Sequence, residues 1–315
     1  MPTQRLVFWL PWLLLALAGS SCAQGTQGDT QLDSLTTAAQ VQQFVRTQNQ
    51  PQFVLTDSLR PECRYTQRCA TPAGKSWLQA DFDGNGRTDI VVTGYRSATS
   101  FQRKVLCFLD LGHRQFKTVW LSDNSYECVV PRLGAVRGKQ AIFYAHVSIV
   151  GERFATNRRE ICQVDTLVFN NTQPVEYNHA PKDYHIQKIA FSTNSCLGTC
   201  PILALQISQN GVASYQAEAY NPTQGNFTAV LEAKPLAELW ALLNYLDFPK
   251  LQDNYAIGVT DQPTCTLTIT YAGGKVKMIE DYGEQGTFGL QRAYELLFGL
   301  RTTQAWKKAD SLNSR

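Results

Sequence analysis

The chain has 315 residues, 43% of them hydrophobic and 17% charged, which is typical of a globular protein long enough for two ordinary domains. This composition excludes an intrinsically disordered chain. The net charge of +3 comes from lysines and arginines scattered among acids and not from a basic block, which argues against a nucleic-acid partner.

The N-terminal segment has the pattern of a secretory signal peptide. Arg5 precedes an apolar run from Leu6 to Ala18, and small residues follow it as far as Cys22. The run is shorter than the roughly 20 residues that a membrane-spanning helix needs. We therefore expect residues 1–23 to be a signal peptide. The expected location is the periplasm or outer membrane of a Gram-negative bacterium, or alternatively the secreted fraction.

Two processing routes remain open at the end of this segment. Leu17-Ala18-Gly19 resembles the box of a bacterial lipoprotein signal, although it lies two residues farther from Cys22 than usual. This resemblance favours a lipid anchor on Cys22, which would be the only membrane contact that the sequence predicts. The alternative is that Ser21-Cys22-Ala23 is the small-x-small site of the ordinary signal peptidase.

The predicted elements change character along the chain. Residues 24–51 are expected to form a polar linker and a short helix, because apolar residues from Leu35 to Val45 fall on one helical face. Apolar runs separated by turns predict a β-rich domain over residues 52–169. Residues 170–185 contain two prolines and no periodicity, so we expect a linker there.

The region 186–307 is predicted to be an α+β domain of β-hairpins covered by two helices. Asn210-Gly211 stands between two alternating runs and is a strong hairpin signal. Helical spacing starts near Pro235 and again after Thr287, a residue suited to cap a helix. Residues 308–315 are predicted to be a polar tail. The predicted fold class is α+β, with a mostly β N-terminal domain followed by this α+β domain.

The loop D-F-D-G-N-G-R-T-D, residues 81–89, is the sharpest local motif. Gly84 and Gly86 permit a tight turn that can gather oxygen ligands of the kind Ca²⁺ prefers. The predicted ligands are the side chains of Asp81, Asp83, Asn85 and Asp89 and the carbonyl of Arg87. The loop resembles the short calcium loops of FG-GAP and VCBS-type β repeats, which implies a structural calcium ion. An Asp/Asn/Gly turn without an ion is the alternative.

Nine cysteines in an exported chain predict disulfide bonds. Setting Cys22 aside leaves an even number, but the count does not fix the connectivity. The candidates for a disulfide or redox role are Cys63, Cys69, Cys107, Cys128, Cys162, Cys196, Cys200 and Cys265.

Cys196, Cys200 and Pro201 form the string C-x-x-x-C-P. This string resembles the copper-binding motif of Sco-type assembly proteins, whose thioredoxin fold requires a helix directly after the motif. Here the sequence of a β-hairpin follows, which favours a structural staple. Because strained short-loop disulfides are the more reducible ones, thiol exchange stays open as an alternative.

Further motifs occur in a fixed order over Ile186–Trp306. They are C-x-G-x-C-P, a D-x-P segment at 261–263, and an aromatic-glycine turn before the last helix. In this order they resemble an uncharacterised bacterial domain family that is common in envelope proteins of the Bacteroidetes. The resemblance implies no chemical reaction, and it implies a structural role for the cysteine pair. Cys196 could equally pair with Cys265.

The sequence therefore favours a non-catalytic binding or structural protein of the cell envelope, whose partner is an envelope protein or a ligand. The alternative is a periplasmic protein for thiol-disulfide exchange or copper handling that uses Cys196 and Cys200.

Overall fold

The structure is a computed structural model that describes residues 30–56, 74–98, 100, 103–122, 129–150 and 159–309, with the backbone alone at 147–150 and 159–161. Over these residues the fold is mostly β, with three sheets and three α-helices. Within the described ranges, no helix has both the length and the apolar character needed to cross a membrane. The predicted signal peptide lies outside the described residues.

A short helix, α1 (Ala38–Thr47), packs against the first sheet. Thr37 and Gln40 form a capping box at its start, in which each side chain accepts the other residue's backbone N–H. On its apolar side, the Phe44 ring meets Phe108 edge-on, with 5.4 Å between the centroids. The strands of this sheet are β1 (Val54–Leu55), β2 (Trp77–Ala80), β3 (Asp89–Tyr95), β4 (Arg103–Gly112) and β5 (Gln115–Ser122). β3 pairs with β1, β2 and β4, and β4 pairs with β5.

The second sheet has four antiparallel strands in sequence order. They are β6 (Val130–Val136), β7 (Lys139–Val150), β8 (Arg159–Asn170) and β9 (Gln173–Glu176). β9 lies inside the segment that the sequence predicted to be a linker. It pairs with β8 through a tight turn in which Asn171 and Thr172 have φ of 48° and 64°. Because non-glycine residues seldom adopt this conformation, the sequence did not indicate a hairpin turn here, and the strand after it was not predicted.

The third sheet has eight strands in the order β14-β16-β15-β10-β11-β12-β13-β17. They are β10 (Ile186–Thr193), β11 (Leu203–Ser208), β12 (Val212–Ala217), β13 (Gly225–Val230), β14 (Asn254–Ala256), β15 (Thr264–Tyr271), β16 (Lys275–Tyr282) and β17 (Lys307–Lys308). Every pair is antiparallel except β14 with β16. The hairpin predicted at Asn210-Gly211 is confirmed, and Gly211 supplies its positive φ of 81°.

Two helices pack on one face of this sheet. α2 (Ala233–Tyr245) buries Leu239 and Leu243, and a 3-10 turn (Phe248–Lys250) follows it. α3 (Phe288–Thr303) buries a stripe that includes Leu290 and Leu297. The Thr287 hydroxyl accepts the backbone N–H of Leu290 at 3.2 Å, so the predicted N-cap is confirmed.

The second sheet and the layer of the third sheet each contribute a side chain to the hydrophobic core of the other. Val175 of β9 is 1% exposed and belongs to the core of the eight-stranded sheet. Conversely, Phe288, the first residue of α3, packs against the core that contains Tyr144 of β7. The centroids of the Phe288 and Tyr144 rings are 5.4 Å apart. The two cores therefore meet at the start of α3.

Candidate functional site

The loop between β2 and β3 contains the predicted calcium ligands. Ala80 at the end of β2 pairs with Asp89 at the start of β3, so the chain must turn back on itself between them. Gly84 and Gly86 have φ of 78° and 82°, in the left-handed region that favours glycine. The sequence signal for a tight turn is therefore correct.

Three of the predicted side chains come together in this loop. One carboxylate oxygen each from Asp81, Asp83 and Asp89 lies within 4.8 Å of the other two. The Asn85 side chain lies beside them, where Nδ2 donates to Asp83 Oδ2 at 3.2 Å and to the Asp110 carbonyl at 2.9 Å. Carboxylate oxygens are the ligand type that a hard divalent cation prefers, so these three residues could hold one.

Arg87 was predicted to contribute its carbonyl, and its other groups are engaged elsewhere. The backbone N–H of Arg87 donates to Asn85 Oδ1 at 2.8 Å. The exposed guanidinium lies over Gly112 at the β4–β5 turn, where an added Cβ would come 3.0 Å from the guanidinium carbon. The side chain thus joins this loop to a second turn.

Backbone amides offset part of the negative charge of the loop. The Asp81 carboxylate accepts the N–H groups of residues 84, 85 and 86 at 2.8, 3.0 and 2.9 Å. Asp89 accepts those of Phe82 at 2.8 Å and Asp110 at 2.9 Å. These bonds brace the turn by themselves. Asp81 Oδ1 and Asp89 Oδ2 accept two bonds each, whereas Asp81 Oδ2 and Asp89 Oδ1 accept one each and retain a lone pair for a cation.

The electrostatics of the loop disfavour the ionised form of two carboxylates, Asp83 and Asp89. Burial raises the pKa of Asp89 to about 7, and the nearby charge of Asp83 adds to the effect. Burial also raises the pKa of Asp83, with a contribution from the negative charge of Asp81. A bound cation would reverse these shifts, because it stabilises the ionised form of each carboxylate.

The cysteine pair of the C-x-x-x-C-P string is bonded. Cys196 and Cys200 form a disulfide with 5.8 Å between their Cα atoms, so Cys196 does not pair with Cys265. Gly198 lies inside this small ring with a φ of 146°. The ring is tied to the neighbouring loop by the backbone N–H of Leu197, which donates to the Asp261 carbonyl at 3.1 Å.

The other cysteines divide into three groups. Cys107 and Cys265 are free and fully buried, so the structure places neither of these disulfide candidates in a bond. Burial raises the pKa of both thiols, which suppresses the nucleophilic thiolate. Cys162 is disulfide-bonded. The remaining candidates, Cys22, Cys63, Cys69 and Cys128, lie outside the described residues.

Asp281 is a buried carboxylate that the sequence analysis did not single out. It is fully buried while Glu280 is exposed, as expected for neighbours on a strand. Its oxygens accept the backbone N–H groups of Gln285 at 2.6 Å and Gly286 at 2.8 Å. A Cβ on Gly286 would come 2.7 Å from Asp281 Oδ2, which explains the glycine. The signal for this arrangement was the D-Y-G-E-Q-G run itself.

Glu176 is a second carboxylate that the sequence did not reveal. Its two oxygens accept the backbone N–H groups of Phe288 at 2.6 Å and Gly289 at 3.1 Å. The first two backbone N–H groups of α3 therefore donate to a carboxylate of the protein itself. No local signal pointed to this contact, because 112 residues separate Glu176 from Phe288.

Comparison with known proteins gives one match. No curated protein and no solved structure matches the chain. Residues 187–301, which run from the start of β10 into the last turn of α3, match the family described as "Domain of unknown function (DUF6438)". The C-terminal part of this chain is thus similar to an uncharacterised domain, which confirms to that extent the expectation drawn from its ordered motifs.

Proposed function

We propose that this chain is an exported, lipid-anchored envelope protein with a non-catalytic binding or structural role. Its partner would be another envelope protein or a ligand. In this proposal a β-rich domain over 52–169 is braced by calcium, and an α+β domain over 186–307 is stapled by the Cys196–Cys200 disulfide. The segment 170–185, which contains β9, connects them.

The disulfide is the observation that carries the proposal. Disulfides form and persist outside the reducing cytoplasm, and the first 23 residues have the pattern of an export signal. The two free thiols among the described residues are buried inside cores, away from solvent. Such cysteines behave as structural side chains and not as nucleophiles.

Mass spectrometry of the intact, unreduced protein from a Gram-negative host tests this proposal. We expect the mature chain to begin at an acylated Cys22 and to sediment with membranes. Cys22→Ala should release it into the soluble periplasmic fraction, whereas Ser20→Ala should leave it membrane-bound. A chain that begins at Gln24 without acyl mass would contradict the lipid anchor and keep export. A chain that stays in the cytoplasm would contradict both.

A loop-bracing calcium ion is the second part of the proposal. It rests on the likeness of residues 81–89 to known calcium loops, and the neighbouring carboxylates of Asp81, Asp83 and Asp89 would be the ligands. The ion would fix the turn between β2 and β3 and would supply no chemistry of its own.

Thiol-disulfide exchange or copper handling is the competing function, and the exposure of the disulfide ring favours it. Leu197 inside the ring is 82% exposed, and both cysteines are only half-buried. A reductant could therefore reach the bond. The reduction potential separates the two functions, because a structural bond has a value below about −300 mV and a catalytic one lies well above it.

A further inference from the structure

A cleft of about 610 Å³ opens beside the β4–β5 turn, next to the predicted calcium loop, with which it shares Arg87. Three of its lining residues carry basic side chains: Arg87, His113 and Arg114. Phe116 and Gln31 also line it, and so does Asp110. The cleft is therefore more basic than the mixed surface that the composition of the chain would give.

The two arginines come from different segments. Arg87 follows the glycines of the predicted calcium loop, and its guanidinium lies against the backbone of Gly112. Arg114 lies two residues beyond Gly112, at the tip of the hairpin. Gly112 has a φ of 86°, which favours glycine, and the absence of a Cβ there leaves room for the Arg87 guanidinium next to the turn that carries Arg114.

The turn itself has an unfavourable conformation for its sequence. His113 and Arg114 have φ of 52° and 60°, where a two-residue hairpin normally uses Asn-Gly. Non-glycine residues in the left-handed region are strained, and such strain concentrates at functional sites. In this strained turn, the side chains of both His113 and Arg114 line the cleft.

The charges of the cleft are available to a ligand. Within the described part of the chain, neither Arg87 nor Arg114 has an ion-pair partner. The one carboxylate in the lining, Asp110, is 4% exposed, and its Oδ1 accepts the N–H of Gly112 at 2.7 Å. It presents little of its surface to the cleft, where the exposed charged side chains are those of Arg87 and Arg114.

We propose that this cleft binds a small organic anion. A carboxylate or sulfate group would lie between Arg87 and Arg114, since guanidinium groups bind planar oxyanions through paired hydrogen bonds. The half-buried ring of Phe116, backed by Phe44 at 5.0 Å between centroids, offers an apolar surface to the body of the ligand. The exposed amide of Gln31 can bond its hydroxyl groups. An acidic sugar has this combination of groups.

Titration calorimetry of the mature protein with three probes tests the proposal. Glucuronate carries a carboxylate on a sugar ring, inorganic sulfate is the anion alone, and glucose is the neutral counterpart of glucuronate. We expect glucuronate to bind roughly tenfold more tightly than glucose, because charge-assisted hydrogen bonds account for the difference. Sulfate binding as tight as glucuronate binding would assign the cleft to the anion alone and contradict the role of Phe116.

Substitutions locate the site. Arg87→Gln and Arg114→Gln should each weaken glucuronate binding by roughly tenfold. Arg137→Gln is the matched control, because Arg137 is exposed in another hairpin turn of the same region with a φ of 48°. All three variants should keep the wild-type unfolding temperature, since the replaced guanidinium groups are exposed.

The titrations are repeated with calcium and with a chelator, so that loss of the calcium site is not mistaken for loss of the anion site. Binding in either condition that depends on Arg87 and Arg114 supports the proposal. Absence of glucuronate binding in both conditions would overturn it, as would an equal effect of Arg137→Gln.

Discussion

The carboxylate of Glu176 accepts the backbone N–H of Phe288 at 2.6 Å, across an interval of 112 residues. Glu176 belongs to the four-stranded sheet, and Phe288 begins the last helix on the eight-stranded sheet. The negative charge lies where the helix dipole is positive, and it pairs N–H groups that have no partner within the helix. The contact therefore joins two sheets and caps a helix at once.

Replacing Glu176 should destabilise the protein. Glu176→Ala leaves the first amides of α3 without acceptors, and we expect the free energy of unfolding to fall by about 1–2 kcal/mol. Glu176→Gln keeps one acceptor oxygen and should lose less. Urea denaturation measures both, with Glu218→Gln as the control because Glu218 is exposed and accepts only a local bond from Gln216. Equal stability of Glu176→Ala and the control would show that the cap is not stabilising.

Calcium should raise the unfolding temperature. A ligand that binds only the folded state at 100 times its dissociation constant stabilises that state by about 2.7 kcal/mol. Asp83→Asn removes one carboxylate from the cluster and should abolish most of the shift. Asp183→Asn changes an exposed aspartate far along the chain and should preserve it. Identical calorimetric scans in millimolar Ca²⁺ and in chelator would remove the metal site.

The buried carboxylate of Asp89 should make stability depend on pH in a calcium-free buffer. Its pKa is raised from 3.8 to about 7, so the folded state binds a proton that the unfolded state has already released between these values. Stability from this group is therefore present below pH 4 and is lost as the pH rises toward 7. Asp281, with a pKa raised to about 6, contributes in the same direction.

The variant Asp89→Asn tests this assignment. Its amide oxygen still accepts a backbone N–H, but the side chain no longer titrates. The decline in the free energy of unfolding between pH 4 and pH 7 should be smaller in Asp89→Asn than in the wild type, as followed by urea denaturation at each pH. Parallel curves for the two proteins would contradict the shifted pKa of Asp89.

The Cys196–Cys200 disulfide should contribute modestly to stability. The bond closes a ring of sequence separation 4, and the chain-entropy relation gives about 2 kcal/mol for so short a loop. The double variant Cys196→Ser, Cys200→Ser should lower the free energy of unfolding by that amount and leave the fold intact.

In the native protein, Cys107 and Cys265 should resist a thiol reagent because both are fully buried. Rapid labelling of either thiol would show that its core opens readily.

Much of the local structure could be predicted from the sequence. The Asn210-Gly211 hairpin and the Thr287 cap depend on residues within a few positions of each other, where turn chemistry and helical spacing decide the outcome. The loop at 81–89 also turns as its glycines required. In each case the residues that cause the local structure lie within the segment that adopts it.

Long-range relationships could not be predicted in this way. Strand β9 is short and starts after a turn of two non-glycine left-handed residues, so nothing local marked it as a strand. The partner of Cys196 depended on where the β15 strand placed Cys265, which faces the core opposite Asp281. The basic cleft arises because a loop and a hairpin tip meet through Arg87 and Gly112, and neither segment alone indicates it.

The exchange of Val175 and Phe288 between neighbouring cores has a consequence for how the molecule melts. Each sheet supplies an apolar side chain that completes the interior of the other. Disrupting either interior therefore exposes part of the second, which couples the two in one cooperative unit. A fragment cut at residue 187, where the family match begins, would give up both Val175 and Glu176 and should melt earlier than the same region within the full chain.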